Sequence, residues 1–106
     1  MKIKIIITTT NSDKTANDIA KYIVKDNLSP CVQIVPLIQS IYKWKDTLEK
    51  SDEILLLIKT IPEKVKDCKK MILKYHNYDV PEIVKMNGEI LNDEYKDWFT
   101  ANSQEI

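Results

Sequence analysis

The residues best able to do chemistry are gathered in one short stretch, Tyr75-His76-Asn77-Tyr78-Asp79-Val80-Pro81-Glu82-Ile83. It contains the only histidine of the chain, two phenols beside it, two carboxylates and a proline. Imidazole titrates near neutral pH and suits Cu(II) and Zn(II). A lone imidazole does not close a metal site, so its fellow donors must be carboxylates, a thiolate, water or groups of another subunit. The competing role for His76 is to satisfy the free carbonyls of a helix end. Cys31 is the second candidate, either as a thiolate ligand for soft Cu(I) or as a small buried hydrophobe. Cys68 lies on an apolar helical stripe and reads as core. Glu53 and Glu82 are either oxygen donors or partners of surface lysines, and pairs of that kind contribute only about 0–1 kcal/mol.

Composition removes several alternatives. The 106 residues carry 16 basic and 16 acidic side chains, and every basic one is Lys. Without Arg there is no guanidinium fork for phosphate or guanine, and no segment concentrates positive charge, so nucleic acid is not expected as a partner. A single glycine, Gly88, excludes glycine-rich phosphate loops. The opening Met1–Ile7 has an apolar core too short for a signal peptide, and no run approaches the roughly 20 apolar residues of a membrane span. A cytoplasmic protein with reduced thiols, needing no membrane, is the expectation.

The elements that must position these residues follow from periodicity. Ile3 to Thr9 reads as a buried central strand. Asn11 or Ser12 caps a helix whose stripe is Ala16, Ile19, Ala20, Ile23 and Val24, continued by Leu28 and ended by Ser29-Pro30. Cys31 to Lys45 reads as a long strand in which Pro36 marks a bend, a bulge or an edge. Residues 46–52 are polar apart from Leu48 and read as a hairpin turn region, before a buried strand over Ile54–Ile58. Thr60-Ile61-Pro62-Glu63 has capping-box spacing ahead of a helix with Val65, Cys68, Ile72 and Tyr75 on one face. Pro81–Met86 reads as the fourth strand, and Asn92 opens a last helix presenting Tyr95, Trp98 and Phe99. The tail after about residue 100 is expected to be loose. The order β-α-β-β-α-β plus a terminal helix predicts an α+β, ferredoxin-like single domain spanning residues 1–106, with both helices on one face of an antiparallel sheet. The central strands carry no aromatics for base stacking, and the loop after the first strand, Thr8-Thr9-Thr10-Asn11, has neither the CxxC of soft-metal carriers nor the Arg of acylphosphatases.

Five segments then point to one family. Leu28-Ser29-Pro30-Cys31-Val32-Gln33-Ile34-Val35-Pro36, Ser40-Ile41-Tyr42-Lys43-Trp44, Ile54–Thr60, His76–Ile83 and Glu94-Tyr95-Lys96-Asp97-Trp98 together resemble the CutA divalent-cation tolerance proteins, over Met1 to about Thr100. The resemblance implies a cytoplasmic homotrimer related in architecture to the PII signalling proteins. It implies a role in tolerance of, or response to, divalent metal ions such as copper. It implies no catalytic reaction and no obligatory cofactor, with copper or another divalent cation as the ligand, and it names no protein partner. By position it carries metal-linked roles to His76 and Cys31, and places Trp44, Glu53, Lys59, Tyr78 and Glu82 in a cleft between subunits. The chain departs from the pattern at Asn77, where the family has Pro, and at Asp46, where it has Gly. The first loosens the loop that aims His76, while the second keeps a residue tolerant of positive φ.

Two further expectations concern assembly and ligand. The two long strands, read as central, outrun the short outer ones and leave ladder ends for another subunit to cover. Tyr42 and Trp44, two residues apart on one strand face, serve either a subunit contact or ligand stacking. Lys59 and the cleft carboxylates motivate a rival reading, a PII-like module binding a small anionic metabolite in the same cleft.

Overall fold

The computed structural model describes residues 1–103. In chain order the elements are β1 (Lys2–Thr10), α1 (Asp13–Lys25), β2 (Cys31–Trp44), β3 (Thr47–Thr60), α2 (Val65–Tyr75), β4 (Val84–Glu89) and α3 (Asp93–Ala101). The strands form one sheet in the order β2-β3-β1-β4, with every neighbouring pair antiparallel. This is the expected ferredoxin-like topology. One expectation is corrected: of the two long strands only β3 is central, and β2 is an edge.

Register assigns each strand residue to a face. Ile6 pairs with Ile58, Thr8 with Leu56 and Thr10 with Ile54. These side chains point toward α1 and α2 and form the core with Ala16, Ile19, Ile23, Cys68 and Ile72, all nearly or fully buried. Burying one such Ile or Leu contributes about 1.5–3 kcal/mol. The opposite face carries Ile5, Ile7, Leu55, Leu57, Val35, Val84 and Met86. No helix covers most of that face: Val35, Val84 and Met86 are exposed and the others only half-buried.

Helix boundaries follow local chemistry. Ser12 caps α1, accepting the Thr15 N–H at 3.1 Å. The helix stops at Lys25, earlier than Ser29-Pro30, because Asn27 takes φ 58° and the Leu28 N–H returns to the Ile23 carbonyl at 2.9 Å. That is a Schellman ending, which Asn tolerates better than most residues. The capping box at Thr60 does not form. Thr60 Oγ1 donates instead to the Leu28 carbonyl at 2.6 Å, and Pro62–Lys64 make a 3-10 turn before α2.

The β2–β3 hairpin is longer and its turn tighter than expected. Lys45 and Asp46 alone make the turn, with φ of 50° and 64°, the two-residue geometry that matches strand twist. Thr47–Asp52 is therefore strand, corrected from the turn reading. Between Val35 and Ile38, β2 carries one residue more than β3, a bulge holding Pro36 and Leu37, with Leu37 at φ 59°. Beyond it, Ile38–Trp44 and Thr47–Glu53 run past the end of β1 as a free two-stranded arm along the 46 Å long axis.

Strand β4 begins at Val84, three residues later than expected. Pairing with β1 starts at Val84 opposite Ile7, and Pro81 has no N–H to give a ladder. Gly88 is opposite Ile3, where an added Cβ would lie 2.9 Å from Ile5 Cδ1. After α3 the chain is not loose as far as residue 103. Ser103 is buried and its carbonyl accepts from Lys64 Nζ at 2.6 Å, while Lys64 also reaches the Asn27 carbonyl. Residues 104–106 of the expected loose tail lie outside the described residues.

Candidate functional site

The loop from α2 to β4 is pinned at its start. His76 is the C-cap of α2, and its N–H bonds the Ile72 carbonyl at 2.9 Å. Its Nε2 lies 2.8 Å from the Thr9 carbonyl, and its Nδ1 accepts the Tyr78 N–H at 3.0 Å. A carbonyl only accepts and an N–H only donates, so the ring is the neutral Nε2–H tautomer and both nitrogens are used. Asn77 adds two bonds: it accepts from Thr10 Oγ1 at 2.6 Å and donates to Asn11 Oδ1 at 2.8 Å. These hold by side-chain bonding a loop that a proline would have stiffened.

Tyr78 carries the linkage outward. Its ring lies 4.9 Å from that of His76, and its hydroxyl donates to Glu53 Oε2 at 2.7 Å. Burial, reinforced by this carboxylate, pushes the Tyr78 phenol well above its usual range. Glu53 stands at the base of the hairpin arm and is only 8% exposed. The cross-strand pairs Glu53–Ile38, Ser51–Ser40, Glu49–Tyr42 and Thr47–Trp44 share one face, and Tyr42 is 3.0 Å from the Ser51 hydroxyl.

A groove of about 510 Å³ opens between the arm and the loop. The arm wall presents Tyr42, Trp44, Glu49 and Glu53, and the loop wall presents Tyr78, Asp79 and Glu82. Four of these seven are carboxylates, three are aromatic, and no lysine lines the groove. Its size is that of ordinary ligand pockets.

The structure thus brings together four of the expected residues, Trp44, Glu53, Tyr78 and Glu82. It does not bring the others. Lys59 and Cys31 are cross-strand partners at the opposite end of the sheet. Lys59 is six residues along β3 from Glu53, or about 20 Å. There Lys59 Nζ lies 5.7 Å from the ring centre of Tyr95. Burial, followed by the neighbouring Cys31, raises the Tyr95 phenol. Cys31 is half-buried, and Cys68 is a core thiol whose pKa burial pushes up to about 11.

The fit to a metal ion can be tested directly. Among the described residues no three His, Cys, Asp or Glu side chains converge on a point that would hold one. His76 has no free nitrogen, and Cys31 is remote from it within the subunit. The described residues of one chain do not by themselves fit a metal ion.

Sequence reasoning missed Glu49 and Ser51 as groove residues, while Asp79 was read only as a carboxylate of the loop. The signal was present, since 49, 51 and 53 alternate onto one strand face, but reading residues 46–52 as a turn hid it.

A four-stranded antiparallel sheet in β-α-β-β-α-β order, with two helices on one face and an arm extending from one edge, defines a ferredoxin-like subunit. Residues 4–102 match the CutA1 divalent ion tolerance protein family, and the chain belongs to that family. It is 37% identical over 100 residues to the divalent-cation tolerance protein CutA of Thermus thermophilus, covering 94% of this chain and 97% of that one. It is 39% identical over 87 residues to a CutA homologue of Xenopus laevis, of which it spans 58%. The chain thus spans nearly all of the bacterial relative and little more than half of the animal one. The solved Thermus thermophilus Cut A1 superposes with a TM-score of 0.88 at 36% identity, covering 98% of this chain and 100% of the other. CutA from Archaeoglobus fulgidus, described as periplasmic, gives 0.89 at 29% identity, covering 98% and 100%. Family membership ties the chain to divalent-cation tolerance. Among the described residues no helix is long and apolar enough to cross a membrane.

Proposed function

We propose that this chain serves divalent-cation tolerance as a cytoplasmic homotrimeric binding protein, without catalysis, whose ligand site is the groove at a cleft between subunits. The carrying observation is the uncovered apolar sheet face, whose strand β3 continues through Glu53 into the arm and the groove. Self-association covers that face and sets another subunit against the groove. A copper or other divalent ion is then held only where a second subunit adds donors to Glu53 and Glu82, consistent with the lack of convergent donors in one subunit. The two free thiols support a reducing compartment. With both ring nitrogens engaged, His76 supports the site by fixing Tyr78. The anionic-metabolite reading loses its motive, because Lys59 lies away from a groove walled by four carboxylates.

Solution mass and copper titration test this. A mass near three times 12.4 kDa is expected. Glu53→Gln should abolish most copper affinity, and His76→Ala should lower it about 10- to 100-fold, as for a supporting group. A stable monomer, or equal copper affinity in wild type and Glu53→Gln, would overturn the proposal.

A further inference from the structure

The misfit between one subunit and a metal ion points to a different cation. We infer that the groove binds an aliphatic polyamine, with its ammonium groups on the carboxylates and its methylene chain along the aromatic walls. This rests on the groove being the ligand site, and not on metal binding.

Three features of the groove carry it. First, Glu53 is 8% exposed, makes no ion pair among the described residues, and its one hydrogen bond there is from Tyr78 to Oε2. Its other oxygen has no partner among the described residues and is not closed off from solvent, so a cation in the groove can reach it. Second, the carboxylates are spread out. Glu49 and Glu53 are four residues apart on one strand face, about 13 Å, and Asp79 and Glu82 lie across the groove. Spaced charges suit several ammonium groups on one chain and do not suit a single small ion, in keeping with the absence of convergent donors among the described residues. Third, Tyr42, Trp44 and Tyr78 line the same groove. Aromatic faces attract alkylammonium cations and pack against methylenes, whereas a strongly hydrated metal ion gains little from them. Trp44 is 54% exposed in the subunit, an unusual position for the largest side chain unless it meets a ligand or a partner.

The experiment is calorimetric titration of the full chain in its native assembly with spermidine at about 0.15 M salt, where screening suppresses loose counter-ion effects. Magnesium chloride and copper sulfate serve as parallel titrants. Saturable spermidine binding is expected, weakened about tenfold or more by Glu53→Gln and roughly fivefold by Trp44→Leu. Trp44 is exposed, so its variant keeps the test decisive even if Glu53→Gln misfolds. Absence of saturable binding, an unchanged affinity in Trp44→Leu, or equal heats from magnesium would overturn the inference. If copper affinity depends on Glu53 while spermidine does not bind, the amine fails and the groove stands. If no titrant responds to either substitution, both readings fall.

Discussion

The two faces of the sheet are built from the same kinds of residue and end in opposite states. On one, Ile6, Leu56 and Ile58 meet Ile19, Ile23 and Ile72 and lose essentially all contact with solvent. On the other, Ile5, Ile7, Leu55, Leu57, Val84 and Met86 are left half-buried or exposed. The first face is satisfied by helices of the same chain. The second has the composition of a core without its other half, as in obligate interfaces, which resemble a domain core cut in two. If the proposed assembly forms on the open face, stability of the chain and stability of the assembly lie on opposite sides of one sheet, and substitutions should separate them.

The largest effect is expected from a charge on the open face. Val84→Glu is at an exposed position, so the subunit should keep its circular dichroism while sedimentation shows 12.4 kDa in place of the assembled mass. A carboxylate taken into an apolar contact without a partner costs on the order of several kcal/mol. An unchanged assembly would mean the open face is not an interface. Next, Leu56→Ala on the closed face should cost about 2–5 kcal/mol in denaturant unfolding at fixed protein concentration. Assembly should persist until the subunit itself unfolds. A cost as small as that of a surface change would erase the contrast between faces.

A smaller effect is expected at Lys64, whose ammonium ties Asn27 at the end of α1 to Ser103 after α3. Lys64→Met leaves two carbonyls without that donor and should cost about 1–3 kcal/mol, with proteolysis reporting loosening after α3. The smallest concerns Cys68. Its folded pKa, about 11, lies above the unfolded value of 9.0. Its contribution is thus complete below pH 9 and fades as pH climbs toward 11, because the unfolded thiol ionises first. Chemical melts should weaken across that window. At pH 8 a thiol reagent should modify half-buried Cys31 well before Cys68, and equal rates would contradict a closed core.

What the sequence discloses tracks how each residue is satisfied. The order of elements, the α1 stripe and the grouping of Trp44, Glu53, Tyr78 and Glu82 could be read, because local periodicity and motif spacing carry them. The hairpin arm could not be delimited. It has no buried face, so residues 47–52 show no apolar alternation, and their polarity resembles a turn. The helix ending at Asn27 was hidden because any of several polar residues could take a left-handed conformation. Strand β4 was misplaced because the run Pro81–Met86 is as apolar as a strand, whereas its hydrogen-bonding ladder begins only at Val84. The open face was not recognised for a deeper reason. A continuous run such as Ile54–Ile58 reads as covered on both sides, and nothing local says whether the cover is a helix or a neighbouring subunit. Lys59 lies six residues from Glu53 on β3, about 20 Å, so a cleft that holds both needs more than one chain.

The extra residue at Pro36–Leu37 absorbs a mismatch between the two halves of β2. Val35 and Ile38 are three residues apart yet oppose Leu55 and Glu53, which are two apart on one face of β3. The turn at Lys45-Asp46 holds Tyr42 opposite Glu49 and Trp44 opposite Thr47. Excising Leu37 would therefore leave both rings on the groove side and remove only the local bend and added twist that a bulge imposes. What that residue governs is the angle at which the arm leaves the sheet, and with it the width of the groove, while the chemistry of the walls stays as it is.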